Sequence, residues 1–404
     1  MLRLLLPRRL LGTVRNSHVT QKPFSLLEID PIHELFHEQL LSLPSTSEVE
    51  QCVQDSSLLQ YNGQNCVTAL QLLQRSTHKP ALDVVLKACG KMDFSHKELA
   101  EVCFGVARNS AMFPQIPESL VRQVATTSDW NQYSTFNLIV LLKAFALARQ
   151  KDSAILGRIY ETSLEKEFEY ERCQVDDLAM LLSGFAQFRY GVPRLCDSVA
   201  EYLVSTPALM QAAKFPHTAL LVDSFARLGH PSPRLFALVA ATVVDQTASL
   251  AVTGRDVMRL LKGFAALGDG GDDNDELYKV LGLRLEKLDA TREFSIPLLT
   301  SFAVRETIAP SLADWFATGI AHHLSSPSSK WKPVDLSLLL SSMVKLNVPG
   351  RHLVEQEIAS RELHSFTDLD LHTIAPLLLA QDGELRAKLV AELERRKHPG
   401  ISVY

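Results

Sequence analysis

The sequence lacks the spacings that mark disulfide-bonded, zinc-binding and membrane-spanning proteins. Its six cysteines form neither a CxxC pair nor a zinc-ligand set, and aromatic residues make up only 7% of the chain. No apolar run approaches the roughly 20 residues that a transmembrane helix needs. We therefore expect reduced, mostly packed thiols, no membrane insertion, and neither a metal nor any other cofactor.

Catalytic motifs are equally scarce. The sequence contains no GxxxxGK(S/T), no GxSxG and no GxGxxG after a strand. His33, Glu34 and His37 match the HExxH pattern of zinc proteases, but Leu40 stands where the longer form has glycine, and too few residues precede the motif to build the sheet that such proteases place beside it. We interpret this as a chance match, and the acidic stretch 269–275 as a solvated turn because it lacks the ligand order of a calcium loop. The sequence predicts a protein that is not an enzyme.

A phenylalanine-centred motif returns at intervals of about 40 residues, a period typical of α-solenoids. It reads LLKAFALAR from Leu141, LLSGFAQFR from Leu181 and LLKGFAALG from Leu260. Its leucines precede the phenylalanine, or anchor, by three and four positions, which places three large apolar groups on one helical face. The anchors are Phe104, Phe145, Phe185, Phe225, Phe264, Phe302 and Met343, with Leu378 as a degenerate eighth. We predict an all-α fold, a right-handed α-solenoid of about eight helical-hairpin repeats.

The first twenty residues contain four arginines and no acidic residue, as a mitochondrial presequence does. A secretory signal fits less well, because Pro7, Arg8 and Arg9 interrupt the apolar stretch and no small-x-small cleavage site follows. We expect import into the mitochondrial matrix and removal of the segment. Removal would make a chain of net charge −5 more acidic still, which disfavours nonspecific binding to phosphate backbones over the whole surface.

The repeat pattern also suggests the domain organisation. The four predicted segments are a presequence (1–20), an N-terminal leader with one short helix from Ile32 to Leu41 (21–62), the α-solenoid (63–398) and a short tail (399–404).

Basic residues recur at fixed distances from the anchors. Arg108, Arg149 and Arg189 follow an anchor by four positions, and Arg227 and Arg305 are slightly displaced from that column. Two further candidates, two positions before an anchor, are Lys143 and Lys262. One interpretation is that the arginines complement helix dipoles at helix C-termini. The other is that these seven residues meet successive phosphates of a single RNA strand.

The residues of the motif resemble those of the repeat helices in a known group of proteins. DLAMLLSGFA from Asp177 and TALLVDSFARLG from Thr218 are similar to the repeat helices of the FAST-kinase-like, octotricopeptide and heptatricopeptide proteins of mitochondria and plastids, here without a RAP-type domain. The resemblance implies a protein that binds organellar RNA or takes part in RNA processing, RNA editing or ribosome assembly.

Together these observations predict a noncatalytic helical-repeat protein of a mitochondrial RNA-handling complex. Its expected partners are single-stranded mitochondrial RNA and other subunits of an RNA-processing or ribosome-associated complex. The alternative is a purely structural scaffold that binds proteins and makes no direct contact with RNA. Direct binding requires one continuous positive face, whereas scaffolding requires an exposed apolar patch.

Overall fold

The structure is a computed structural model that describes residues 31–74, 76, 78–109, 112–246, 251–266, 274–304, 308–326, 331–378 and 384–396. Every regular element in these ranges is helical, which confirms the all-α prediction. The chain divides into two compact units, Met1–Met92 and Asp93–Tyr404. The predicted presequence and tail lie outside the described residues.

The described part of the first unit contains four α-helices and a 3₁₀ turn. The helices are α1 (Pro31–Ser42), α2 (Thr46–Asp55), α3 (Gly63–Leu72) and α4 (Lys79–Cys89). Helix α1 packs on α3 and α2 packs on α4, so the unit has a small core of its own. The predicted leader helix corresponds to α1, whereas α2 was not predicted. The boundary predicted at residue 63 falls inside this unit.

The second unit is built from helices of which all but two short ones alternate between two layers. In chain order they are α5 (His96–Arg108), α6 (Glu118–Ala125), α7 (Thr135–Leu147), α8 (Ser153–Glu165), α9 (Val175–Phe188), α10 (Pro193–Ser205), α11 (Pro207–Ala212), α12 (Phe215–Leu228), α13 (Pro233–Asp245), α14 (Gly254–Ala266), α15 (Asp275–Leu285), α16 (Ala290–Glu293), α17 (Ile296–Phe302), α18 (Pro310–Ser325), α19 (Pro333–Lys345), α20 (Arg351–Ala359), α21 (Asp368–Leu378) and α22 (Glu384–Arg395).

Each helix that carries the repeated motif packs against the motif helices before and after it. This first layer runs through α5, α7, α9, α12, α14, α17, α19 and α21. The intervening helices form a second layer in the same way, through α6, α8, α10, α13, α15, α18, α20 and α22. One helical hairpin cannot bury its own apolar face, so the stacking of neighbours supplies the core.

The anchors lie in that core. Phe145, Phe185 and Phe225 have no exposed surface, and Phe264 and Phe302 are buried almost as completely. Second-layer rings pack between them: the Phe236 ring lies edge-on 6.3 Å from Phe225 and 5.0 Å from Phe264. The regular spacing of the motif along this chain is therefore explained by packing.

The small residues next to the anchors allow first-layer helices to approach closely. A Cβ atom added at Gly184 would lie 2.5 Å from Cγ of Leu142, and one added at Gly263 would lie 2.5 Å from Cγ1 of Val222. Both distances are shorter than any real carbon contact. Glycine at these two positions sets the separation of α7 from α9 and of α12 from α14.

Helix α5 corrects one anchor of the sequence analysis. Phe104 is partly exposed, whereas Val106, two residues later, has no exposed surface. The buried residues of α5 also follow the same spacing as those of α7 only if Val106 takes the place of Phe145. Phe104 thus corresponds to Lys143 in the next repeat, and Arg108 corresponds to Leu147.

Several first-layer helices end in the same hydrogen-bonded cap. In α9 the N–H of Arg189 donates to the carbonyl of Ala186 (3.2 Å) and the N–H of Tyr190 donates to the carbonyl of Phe185 (3.1 Å), which is a Schellman motif. The residue at the turn has a left-handed backbone, with φ of 51° at Arg189. The same position is taken by Arg149, Gly229 and Asn347 after α7, α12 and α19.

Candidate nucleic-acid interface

The structure places the seven basic candidates in different environments. Arg149 and Arg189 share one position, the left-handed residue after a first-layer helix. Arg108 lies inside α5 with ordinary helical geometry, in register with Leu147. Arg305 lies outside the described residues. The sequence predicted one column of arginines. In the structure, only Arg149 and Arg189, in two neighbouring turns, share the same position.

Arg108 and Lys143 flank an aromatic ring. The Arg108 guanidinium and the Lys143 ammonium each lie 5.4 Å from the centroid of Phe104, close enough for cation–π attraction. Burial, and then the nearby charge of Arg108, lower the pKa of Lys143. The two cations therefore have an intramolecular partner that stabilises the contact between α5 and α7.

Arg227 is engaged in a contact between repeats. Its guanidinium donates to the carbonyl of Ala186 at 3.3 Å and lies 3.8 Å from the Asp223 carboxylate, one turn earlier in α12. Lys262 is exposed on α14, where no hydrogen bond or ion pair holds it among the described residues. Helix packing thus accounts for Arg227, whereas Lys262 is available to a ligand.

Three further exposed cations, which were not selected from the sequence, lie in the turns of Arg149 and Arg189 and in the turn after α12. They are Lys151, which follows α7, and Arg194 and Arg234, which lie in the first turns of α10 and α13. The triplet Pro-Arg-Leu occurs at the start of both helices, at Pro193 and Pro233. This repetition at the solenoid period was the signal that could have revealed them.

Side-chain contacts link each of these turns to a neighbouring repeat. The Nζ atom of Lys151 donates to the carbonyl of Phe188 at 3.3 Å, which links the first turn to the end of α9. The His230 Nε2 atom lies 2.9 Å from the Asp197 carboxylate, which links the third turn to the start of α10. We call the exposed basic edge formed by Arg149, Lys151, Arg189, Arg194 and Arg234 the cationic rim.

The first layer also carries exposed apolar side chains that the sequence analysis did not identify. On α7, Phe136 is 59% exposed and Leu147 is 45% exposed. On the late helices α19 and α21, Val334, Leu338 and Leu369 are exposed as well. Val334 and Leu338 lie one turn apart on α19, and exposed apolar groups that cluster in this way are typical of surfaces that bind other proteins.

A family model matches part of the chain. The model of the RNA-editing substrate-binding complex 6 protein matches residues 92–253, which run from the start of the second unit to the loop after α13. The chain is similar to that family over these residues. No curated protein gives a significant match.

All five residues of the cationic rim fall within the matched residues. The match also contains α7, α9 and α12, whose anchors and left-handed caps follow one geometry. The similarity therefore covers three consecutive repeats with the same cap geometry, together with all residues of the cationic rim.

The residues of the HExxH match make structural contacts instead. The Nε2 atom of His33 lies 3.2 Å from the carbonyl of Leu59, and the Nδ1 atom of His37 lies 3.4 Å from the hydroxyl of Thr68. The described ranges contain no group of three or more potential metal ligands. None of the described helices combines the length and hydropathy needed to cross a bilayer.

The cysteines are mostly packed thiols. Cys66, Cys89, Cys103, Cys173 and Cys196 are buried and form no disulfide, and Cys52 is partly exposed. Burial raises the pKa of the Cys103, Cys173 and Cys196 thiols to about 12. A thiol with so high a pKa is a poor nucleophile at neutral pH, so these cysteines have a packing role.

Proposed function

We propose that this protein is a noncatalytic helical-repeat subunit of a mitochondrial RNA-editing complex. The observation that carries the proposal is the match of residues 92–253 to the RNA-editing substrate-binding complex 6 family, over a stretch of stacked helices. The repeat resemblance to the octotricopeptide and heptatricopeptide type agrees with a role in organellar RNA metabolism. The complex would work in the matrix, which the arginine-rich, acid-free segment 1–20 would reach as a presequence.

We further propose a right-handed α-solenoid of about eight repeats for the second unit. Its support is the two-layer packing, in which each helix contacts the corresponding helix of the neighbouring hairpin. Such a stack presents long columns of side chains to partners and has no need of a catalytic centre.

Scaffolding is the role that the first layer favours. Its exposed apolar side chains lie on α7 and again on α19 and α21, so two distant stretches of the stack could each hold a protein subunit. Burial of an exposed apolar side chain of this size is worth roughly 1.5 to 3 kcal/mol. The protein would then keep the subunits of an editing complex together on one platform.

Direct RNA binding is the second part of the proposal, and the exposed cations favour it. Of the sequence candidates, Arg149, Arg189 and Lys262 are exposed and have no partner among the described residues, whereas Arg108, Lys143 and Arg227 have intramolecular contacts. The alternative is a pure protein scaffold of a mitochondrial assembly, without RNA contact. A subunit of an RNA-processing or ribosome-assembly complex would co-purify with different proteins from those of an editing complex.

The test is purification of the affinity-tagged protein from mitochondria, with and without ribonuclease, followed by mass spectrometry. We expect subunits of an RNA-editing complex in both samples, because scaffolding contacts are protein contacts. Leu338→Asp combined with Leu369→Asp should reduce their recovery, and Leu283→Asp, an exposed leucine of the second-layer helix α15, is the matched control. Recovery of ribosomal proteins alone would contradict the proposal.

A further inference from the structure

We infer that the cationic rim binds the phosphates of single-stranded RNA. This inference rests on the proposed function, since it names the surface through which a subunit of an RNA-editing complex would contact its RNA.

The rim arginines are unpaired in a chain that pairs many of its other arginines. Arg149, Arg189, Arg194 and Arg234 are exposed, and no ion pair or side-chain hydrogen bond holds them among the described residues. By contrast, arginines with a carboxylate within 4 Å occur along the rest of the described chain: Arg122, Arg158, Arg227, Arg259, Arg292, Arg351, Arg361, Arg395 and Arg396. The rim therefore keeps its guanidinium donors free for a ligand.

The three turns have a positive local charge. They carry the five cations of the rim and two carboxylates: Asp152, which accepts the N–H groups of Ala154 and Ile155, both at 3.0 Å, as the cap of α8, and Asp197, which lies 2.9 Å from Nε2 of His230. The protein as a whole has a net charge of −5. A positive edge on an acidic protein attracts a polyanion to one place instead of to the whole surface.

The backbone at Arg149 and Arg189 adopts a conformation that arginine disfavours. Their φ values of 52° and 51° lie in the left-handed region, where side chains other than glycine and asparagine are disfavoured. The equivalent turns after α12 and α19 use Gly229 and Asn347, the residues that this geometry prefers. Two neighbouring turns thus accept a conformational cost that glycine would remove, and the side chain gained in each case is an exposed guanidinium.

The spacing of the basic groups along the rim suits the phosphates of a single strand. Adjacent packed helices are separated by about 8 to 10 Å, so three successive turns place basic groups along about 20 Å of edge. Guanidinium groups bind phosphate oxygens through two parallel hydrogen bonds, and a flexible single strand can follow a row of such groups. The contacts would be to the backbone and so would be independent of base sequence.

The experiment compares salt-dependent binding of a fluorescein-labelled oligouridylate to the full chain and to two variants. The rim variant carries Arg149→Gly, Arg189→Gly, Arg194→Gln and Arg234→Gln. The control variant removes four exposed cations from the opposite edge, where first-layer helices begin and second-layer helices end: Arg172→Gln, Lys214→Gln, Arg255→Gln and Lys287→Gln. The two variants have the same net charge.

We expect log Kd of the unmodified protein to change with log salt with a slope of about 3, because each phosphate contact with a single strand contributes about 0.7. The rim variant should lose most of this slope and bind more than about tenfold more weakly, and the control should keep it. The glycine substitutions should leave the melting temperature unchanged or higher, since glycine suits a left-handed backbone. Weaker binding therefore cannot be attributed to unfolding.

Three results would overturn the inference: no RNA binding by the unmodified protein, equal losses in both variants, or a rim variant that binds RNA normally but loses a protein subunit after ribonuclease treatment. The last result would assign the rim to an acidic protein. In each case the recovery of editing-complex subunits decides separately whether the proposed function stands.

Discussion

The guanidinium of Arg227 donates a hydrogen bond to the main-chain carbonyl of Ala186, 3.3 Å away on the preceding first-layer helix. The same bond recurs in register elsewhere. Gln187 donates to the carbonyl of Ala146 at 2.5 Å, and Lys345 donates to the carbonyl of Ala303 at 3.4 Å. Side chains two positions after the anchor thus satisfy carbonyls at the end of the neighbouring helix, and they link successive repeats.

Replacing Arg227 by methionine removes this bond and the Asp223 ion pair while keeping a long aliphatic side chain. We expect the free energy of unfolding to fall by about 1 kcal/mol, since the group is only partly buried. Chemical denaturation measures the change. Arg234→Met is the control, because Arg234 is exposed and its substitution should be neutral within about 0.5 kcal/mol. Equal effects of the two substitutions would contradict the structural role of Arg227.

Gly263→Ala tests the close approach of α12 and α14. The new Cβ would meet Val222 at Cγ1 (2.5 Å) and at its carbonyl oxygen (3.1 Å), so the helices must separate. We expect the free energy of unfolding to fall by about 1 to 3 kcal/mol, as for other overpacked cores. Gly191→Ala has no atom within 4 Å of the added Cβ and should be neutral in the same denaturation assay. A neutral Gly263→Ala would show that the helices are not in tight contact.

Glu169 gives a pH-dependent prediction. Burial acts to raise its pKa, but hydrogen bonds from Lys166 and from the side chain and backbone of Thr135 prevail and hold it below the ordinary value of 4.5. The carboxylate therefore stabilises the folded chain above pH 4.5, and this contribution is lost as the pH falls through the lowered pKa.

Glu169→Gln should accordingly lower the free energy of unfolding by about 1 to 2 kcal/mol at neutral pH, because the start of α7 loses a charged acceptor. The difference from the unmodified protein should shrink below pH 4.5, as both side chains become neutral. Denaturation at a series of pH values measures it. A difference that stays constant into acid would show that packing, rather than charge, accounts for the loss.

The thiols provide a test of burial. We expect iodoacetamide at mildly alkaline pH to modify Cys52 first, since it is partly exposed, and to spare Cys103 and Cys196, whose pKa values burial raises to about 12. Peptide mass spectrometry after timed labelling measures each site, and denaturant should make all six cysteines reactive. Labelling of Cys196 in the folded protein as fast as Cys52 would contradict the packing described for α10.

The anchors show how well the period of the sequence predicts which residues are buried. Phe145, Phe185 and Phe225 recur in register, and all are fully buried. In α5 the same reasoning selected Phe104, because a phenylalanine there stands two positions before the buried Val106. When several large residues stand close together in a repeat, the motif can be aligned in two ways. Only the packing shows which large residue is buried.

Helix α2 was missed for a related reason. Its only buried residues are Val49 and Val53, which is too few for a convincing periodic pattern. Its start is nevertheless set locally, since the Ser45 hydroxyl accepts the N–H of Glu48 at 3.3 Å. Contact with α4 supplies the remaining stabilisation, and such contacts cannot be read from a short window of sequence.

The sequence by itself determined the helical fold class, the period of the hairpins and the burial of most anchors, because these depend on residue spacing along single helices. Only the tertiary structure decided which cations are free. Arg149 and Arg227 both follow anchors, yet Arg149 is an exposed left-handed cap, whereas Arg227 is hydrogen-bonded to the preceding first-layer helix. Whether a basic side chain is available to a ligand depends on neighbours about 40 residues away, which the stacking of repeats brings into contact.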